Sequence, residues 1–172
     1  MLDALELARV SGWLALSALA LALCATPVRR VLRRIRADHP LAARAPAWRR
    51  RFGITAAVLA LLHGGIAMGG YLDDARSAVL SWPHLRAGLV AACILTALLV
   101  SSFPAAVRAL RIRLWKPLHR LAYVAALLVL QHLLLSPLAP RAVTLGLFGA
   151  LLVIGLLRWL PARATAEVRR KR

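Results

Sequence analysis

The sequence predicts an all-α protein, a polytopic bundle of transmembrane helices. Its 172 residues are 61% hydrophobic, whereas soluble domains are only about 45–50% apolar. The apolar residues fall into runs that are too long for core strands and close to the length of a membrane span. The basic residues lie in short blocks between these runs, which is typical of the loops of a membrane protein.

Five spans are predicted, and residues 1–172 are interpreted as one transmembrane domain without a soluble part. The spans cover about residues 10–25, 52–71, 85–103, 117–136 and 142–160. Several are near the lower limit of length and need flanking Trp, Tyr and Arg side chains to match the bilayer. The stretch 27–46, rich in Arg, Ala and Pro, is predicted to be a surface loop that lies on anionic lipid.

The distribution of charge predicts the orientation in the membrane. Blocks at 29–51, 108–120 and 158–172 hold most of the 24 Lys and Arg residues. The opposite loops carry few basic residues and most of the acidic ones: Arg9, Arg76, Arg86 and Arg141, with Asp3, Glu6, Asp73 and Asp74. The positive-inside rule then predicts an N-terminus outside and a C-terminus in the cytoplasm. Topology accounts for the net charge of +18, so no nucleic acid is expected as a partner.

Three of the five histidines lie in or at the edge of these spans: His63, His119 and His132. Ionisable side chains at membrane depth are expensive and mark functional sites, and imidazole is the usual protein ligand of haem iron. Counted from the basic residues at the start of each span, His63 and His132 lie about 18 and 24 Å into the membrane. They are on different helices. We therefore predict one haem between them, with both imidazoles bound to iron.

His119 precedes His132 by thirteen residues and lies near the cytoplasmic face, at the level of a second haem. The opposite ligand of that haem is not evident, because Arg49 and Arg50 are poor haem ligands and His39 lies in the predicted loop. Thirteen residues of an ideal helix also rotate by about 220°, so His119 and His132 do not share a face. A second haem therefore stays open at this point.

The other reading of these histidines is structural, since a membrane histidine can simply hydrogen-bond to a neighbouring helix. His84, in Trp82-Pro83-His84, is interpreted as an interfacial residue. Arg113, Lys116 and Arg120 are predicted to contact haem propionates or the phosphates of an anionic cofactor. Anchoring to the cytoplasmic side of the bilayer explains these three cations equally well.

Three segments resemble the ferric reductase-like transmembrane family. They are most similar to its bacterial haem-binding branch, the membrane subunit of the periplasmic methionine sulfoxide reductase system. The segments are Ala25-Thr26-Pro27-Val28-Arg29, then Arg50-Arg51-Phe52-Gly53 followed by Leu62-His63, and finally Trp115 to Tyr123 followed by His132. By that resemblance, His63, His119 and His132 match the haem-ligand histidines of the family.

The resemblance implies an electron-transfer subunit in the bacterial cytoplasmic (inner) membrane. A cytoplasmic flavin reductase or quinol would supply electrons, and haem b would pass them on. The acceptor would be a periplasmic molybdenum-cofactor (molybdopterin-dependent) enzyme that repairs oxidised methionines. A bound FMN is also associated with this branch. The branch usually has six spans, so the five predicted here imply a misplaced start or a five-helix variant.

Two rival functions stay open. A transmembrane ferric reductase would deliver electrons to an external metal chelate and would need no protein acceptor. A haem-free transporter or assembly factor would use the histidines as a proton relay or as contacts between helices, and would be colourless. Transporters usually show internal repeats and broken helices, and neither is clear in this sequence. No catalytic residues are predicted, because an electron relay needs no acid–base pair or nucleophile.

Overall fold

A computed structural model describes residues 3–35, 39–70, 72 and 74–159 of the chain. Within these ranges the regular elements are helices: α1 (Ala4–Ile35), α2 (Pro40–Gly70), α3 (Ala75–Ser81), α4 (Pro83–Val100), α5 (Pro104–Leu118), α6 (Leu121–Leu135) and α7 (Arg141–Trp159). The described residues contain no strand, and the prediction of an all-α protein is confirmed. Several residues used in the sequence analysis lie outside the described ranges: 36, 71, 73 and 160–172.

Four helical stretches are long and apolar enough to cross a membrane: Ala4–Arg33, Pro40–Gly70, Pro83–Val100 and Arg113–Leu135. A fifth stretch, Arg141–Leu156, is apolar but shorter within the described residues. Large aliphatic side chains are exposed along these helices, as expected of a surface that faces lipid. The chain is therefore a multi-pass membrane protein, as predicted, and its orientation stays a prediction.

The stretch 27–46, predicted to be a loop, is largely helical. α1 continues through Pro27 to Ile35, and α2 begins at Pro40. Alanine and arginine are among the best helix formers, and a proline in the first turn removes no helical hydrogen bond. The prediction of a loop over this whole stretch is therefore wrong. Both helices extend beyond their apolar spans.

The predicted span 117–136 begins at a break between α5 and α6. Pro117 has no N–H to donate, and just after it a backbone hydrogen bond spans three residues instead of four. The Arg120 N–H donates to the Pro117 carbonyl at 3.0 Å, a three-residue bond of the 3₁₀ type. His119 is the C-cap of α5, whereas His132 lies in the last turn of α6. The two histidines are therefore on separate helices, and the rotation calculated for one ideal helix does not apply to them.

The spans pack as two helix pairs, α1 with α2 and α4 with α6, which meet through α2 and α4. Alanines form much of the core, and Ala56 on α2 and Ala125 on α6 are both 0% exposed. Small residues let helix backbones approach closely in a membrane. Each of these alanines lies two helical turns before a histidine, Ala56 before His63 and Ala125 before His132. The close packing of the pairs thus sets the position of both imidazoles.

Two of the three remaining helices, α3 and α7, flank this four-helix arrangement. α3 begins after Asp74, whose carboxylate accepts a hydrogen bond from the Ser77 N–H at 3.1 Å. A helix N-cap of this kind satisfies a backbone donor that has no partner within the helix. α3 leads through Trp82 directly into α4, while α7 packs on α1 and α6.

Candidate functional site

A cavity of about 520 Å³ lies between the two helix pairs. Residues from α1, α2, α4 and α6 line it, and three of them are histidines: His63, His84 and His132. Most of the other lining residues are Leu, Ala or Gly. The volume and the mainly apolar wall with a few polar groups are typical of a cofactor or small-molecule site.

His63 reaches the cavity from α2 and is fixed by a main-chain contact to α1. Its Nδ1 lies 2.7 Å from the carbonyl oxygen of Ala8. A carbonyl oxygen can only accept a hydrogen bond, so Nδ1 must carry the proton. In the neutral ring, Nε2 then has a free lone pair, which is the form that binds a metal ion.

His132 has the same arrangement in the other helix pair. Its Nδ1 lies 2.7 Å from the carbonyl oxygen of His84 on α4. The same reasoning places the proton on Nδ1 and leaves the lone pair on Nε2. Hydrogen bonds of this kind, from the other ring nitrogen to a main-chain carbonyl, are the usual outer support of histidines that bind metal.

Two glycines make room for these contacts. A Cβ atom added at Gly12 of α1 would lie 3.0 Å from His63 Nδ1, and one added at Gly88 of α4 would lie 2.9 Å from His132 Nδ1. Each glycine comes four residues after the carbonyl that its histidine contacts. α1 and α4 contain no other glycine. Each glycine therefore leaves a notch, a gap in the helix surface where a side chain would otherwise stand, and the two histidines lie in equivalent notches.

The two imidazoles are close to the separation required by a shared metal. The ring centroids of His63 and His132 lie 6.2 Å apart, with an angle of 80° between the ring planes. A metal–imidazole bond is about 2 Å long, and a ring centre lies about 1 Å behind its nitrogen for ring bonds of this length. Two imidazoles on opposite sides of one metal ion would therefore have centroids about 6 Å apart.

The set of donors favours haem over a bare metal ion. In the part of the chain that the structure describes, no three His, Cys, Asp or Glu side chains converge on one point. A structural or catalytic zinc ion takes at least three protein ligands. Haem iron needs only axial ligands from the protein, because the porphyrin supplies the others. A pair of histidines across an apolar cavity fits that requirement.

His84 contributes a third ring to this end of the bundle. Its centroid lies 5.8 Å from that of His132 and 5.9 Å from that of Trp82. Trp82 is 55% exposed, so these rings form a series from the surface to the cavity wall. His84 is half-buried beside Trp82, and its interfacial position stays a prediction.

His119 lies apart from the cavity, at the junction of α5 and α6. Its Nε2 is 3.2 Å from the Ser101 hydroxyl, and its ring packs on Trp115 with centroids 4.1 Å apart. The Ser101 hydroxyl also donates to the Leu98 carbonyl at 3.0 Å. Since this hydroxyl has one hydrogen, it accepts from the His119 Nε2–H. His119 thus differs from His63 and His132, because its Nε2 is already bonded.

The three cations predicted to contact an anionic cofactor are also away from the cavity. Arg113, Lys116 and Arg120 are exposed near the α5–α6 junction and do not line the cavity. Among the described lining residues, only Arg9 has a fixed positive charge. The roles predicted for the three cations stay predictions that concern the His119 end of the bundle.

Sequence reasoning missed Gly12, Gly88 and Arg9. Gly12 and Gly88 act on histidines of other helices, so nothing near His63 or His132 in the sequence points to them. The available signal was that α1 and α4 each contain a single glycine. Arg9 was interpreted only as part of the sparse charge of the outer loops.

Comparison with known proteins identifies the family of this chain. Residues 11–130 match the family described as the ferric reductase like transmembrane component. The protein-methionine-sulfoxide reductase heme-binding subunit MsrQ of Deinococcus radiodurans is 36% identical over 125 residues, covering 71% of this chain and 58% of that protein. MsrQ of Polaromonas naphthalenivorans is 32% identical over 130 residues, with 73% and 56% covered.

A third relative, MsrQ of Cronobacter sakazakii, is 33% identical over 154 residues, covering 87% of this chain and 73% of its own. The chain spans a little more than half the length of the first two relatives. No solved structure matches it. The family match covers well over half of the sequence and ends before His132. The chain belongs to the ferric reductase-like transmembrane family, and within that family it is related to the heme-binding MsrQ subunits.

Proposed function

We propose that this protein is the haem b-binding membrane subunit of a bacterial oxidoreductase system and relays electrons across the membrane. The observation that carries the proposal is the pair His63 and His132. These imidazoles line one mainly apolar cavity, with Nδ1 of each at a main-chain carbonyl and their centroids 6.2 Å apart. The names of the relatives, which are heme-binding subunits, support it.

In this proposal His63 and His132 would hold one haem by binding its iron through their imidazoles. Haem, when bound, supplies a centre that takes up and releases one electron. The carbonyls of Ala8 and His84 hold the two rings in a fixed tautomer and orientation. The apolar cavity wall excludes water, and both features tune the reduction potential.

A second haem is proposed at the other end of the bundle, next to His119. Its iron would replace the Ser101 hydroxyl at Nε2 or bind Nδ1 instead. Arg113, Lys116 and Arg120 are proposed to contact the carboxylates of that haem, or the phosphate of an FMN. The thirteen residues between His119 and His132 correspond to about 20 Å of helix, so two haems would divide the crossing into short steps.

The direction of transfer follows from the predicted orientation. The cavity would lie near the outer face and the His119 end near the cytoplasm. The proposed donor is a cytoplasmic flavin reductase or quinol. The proposed acceptor is a periplasmic molybdenum-cofactor reductase of protein methionine sulfoxide. The relatives are named as heme-binding subunits of a protein-methionine-sulfoxide reductase, which supports a reductase of oxidised methionine as the acceptor.

A second candidate function is ferric reductase activity, which the description of the matching family favours. In that case the outer haem would reduce an external ferric chelate directly. Mixing the dithionite-reduced, detergent-purified protein with a ferric chelate distinguishes the two. Slow oxidation of haem by the chelate, with fast oxidation by the periplasmic reductase, supports the relay. The reverse order supports ferric reductase activity.

The proposed ligands are tested by a reduced-minus-oxidised visible spectrum with haem stoichiometry. We expect sharp low-spin b-type bands in the unaltered protein. His63→Ala and His132→Ala should each abolish the haem in the cavity, and His119→Ala should retain it. His39→Ala is the matched control, because this ring lies outside the spans and only accepts from the Leu41 N–H. A colourless protein expressed with ample haem, or loss of all haem in His119→Ala alone, contradicts the assignment.

A further inference from the structure

The two proposed haem ligands, His63 and His132, make the same kind of contact: each ring approaches a main-chain carbonyl of a neighbouring helix. In each pair, the histidine Nδ1 lies 2.7 Å from a carbonyl oxygen of the other helix of that pair. The carbonyl belongs to Ala8 in one pair and to His84 in the other. In both cases the residue four positions later is a glycine, Gly12 or Gly88.

The spacing of four residues has a physical reason. A carbonyl inside an α-helix already accepts from the N–H four residues later, and it keeps a second lone pair. Side chains tilt towards the helix N-terminus, so the side chain four residues later covers that lone pair. Glycine has no side chain there and leaves the carbonyl accessible to a group from another helix.

The distances show how little space remains. A Cβ at Gly12 would come within 3.0 Å of His63 Nδ1 and 3.1 Å of its Cε1. A Cβ at Gly88 would come within 2.9 and 3.2 Å of the same atoms of His132. Alanine at either position must therefore push the imidazole away from the carbonyl. Gly53 on α2 differs, since a Cβ there would meet nothing within 4 Å.

We propose that Gly12 and Gly88 are positioning residues for the two axial ligands. Each glycine exposes one main-chain carbonyl, and that carbonyl holds a histidine as the Nδ1–H tautomer with Nε2 directed to the metal. This inference rests on the proposed function, because the positioned group is a haem ligand. In this proposal Gly12 on α1 orients His63 on α2, and Gly88 on α4 orients His132 on α6.

The test compares Gly12→Ala and Gly88→Ala with Gly53→Ala, each as full-length, detergent-purified protein. Loss of an outer hydrogen bond to a metal-binding histidine typically weakens metal binding about 10–100-fold. We expect haem to transfer to an apo-haemoprotein scavenger about 10–100 times faster from the Gly12 and Gly88 variants, and the low-spin electron paramagnetic resonance (EPR) signal to shift. Gly53→Ala should lose haem at the unaltered rate and keep the signal. A merely structural role would lower thermal stability without shifting the EPR signal.

A second measurement needs no substitution and serves if an alanine variant does not fold. In the reduced protein with ¹⁵N-labelled histidine, two Nδ1–H protons should exchange slowly with solvent, as expected of bonds to buried carbonyls. Rapid exchange of these protons overturns the inference, as do Gly12 and Gly88 variants that match Gly53→Ala in both readouts. Either result would leave a low-spin haem in the unaltered protein. Failure of the proposed function would instead give a protein without such a haem.

Discussion

Enlarging Ala125 should loosen the helix pair that carries His132. Ala125 is 0% exposed and lies in the core between the helix pairs, so the three added carbons of Leu have no space. Overpacking a well-packed core costs about 1–3 kcal/mol, and for a protein of this size each kcal/mol shifts the Tm by about 2–4 °C. We expect Ala125→Leu to lower the Tm by about 2–12 °C and to reduce haem content, because His132 lies two turns further along the same helix.

The assay is thermal unfolding followed by fluorescence-detected size-exclusion chromatography, with haem absorbance recorded on the same peak. Val124→Leu is the matched control, since Val124 is the adjacent residue and is 43% exposed. Its Tm should stay within about 1 °C of the parent, as surface substitutions usually change stability little. Equal destabilisation by the two substitutions would refute the argument that close packing at Ala125 positions the site.

Two further predictions concern His84 and the topology. His84→Ala should retain haem, because His132 bonds to the main-chain carbonyl of residue 84 and not to its ring. Haem loss in that variant would indicate that the His84 ring itself binds iron. A reporter that works only in the cytoplasm should be active when it is fused to the C-terminus, as the charge distribution requires. Cleavage of a C-terminal tag by protease added from the periplasmic side would show the opposite orientation.

The sequence was sufficient for the fold class, and it singled out three histidines as candidates, because both depend on strong local signals. Long apolar runs predict membrane spans, and an imidazole at membrane depth is rare enough to mark a site. Counting helical rise from the basic ends predicted that His63 and His132 lie at similar depth, and the structure brings these two rings together.

The rest depended on tertiary contacts and on the context of prolines. The carbonyls that hold His63 and His132 are 55 and 48 residues away along the chain, so no local pattern links them to the rings. The Arg, Ala and Pro content of 27–46 suggested a loop, but Pro27 lies within α1, Pro46 lies within α2, and Pro40 is the first residue of α2. The break after Pro117 separates His119 from the helix of His132. The apolar run in the sequence continues across this break and gives no sign of it.

The central claim is that His63 and His132 bind one haem iron between them. The most direct test is low-temperature EPR of the oxidised, purified protein, together with haem stoichiometry. The account predicts a low-spin bis-imidazole signal, strongly anisotropic because the ring planes are 80° apart, and its loss in both His63→Ala and His132→Ala. A high-spin signal in its place, or persistence of this strongly anisotropic signal in either variant, would contradict the claim.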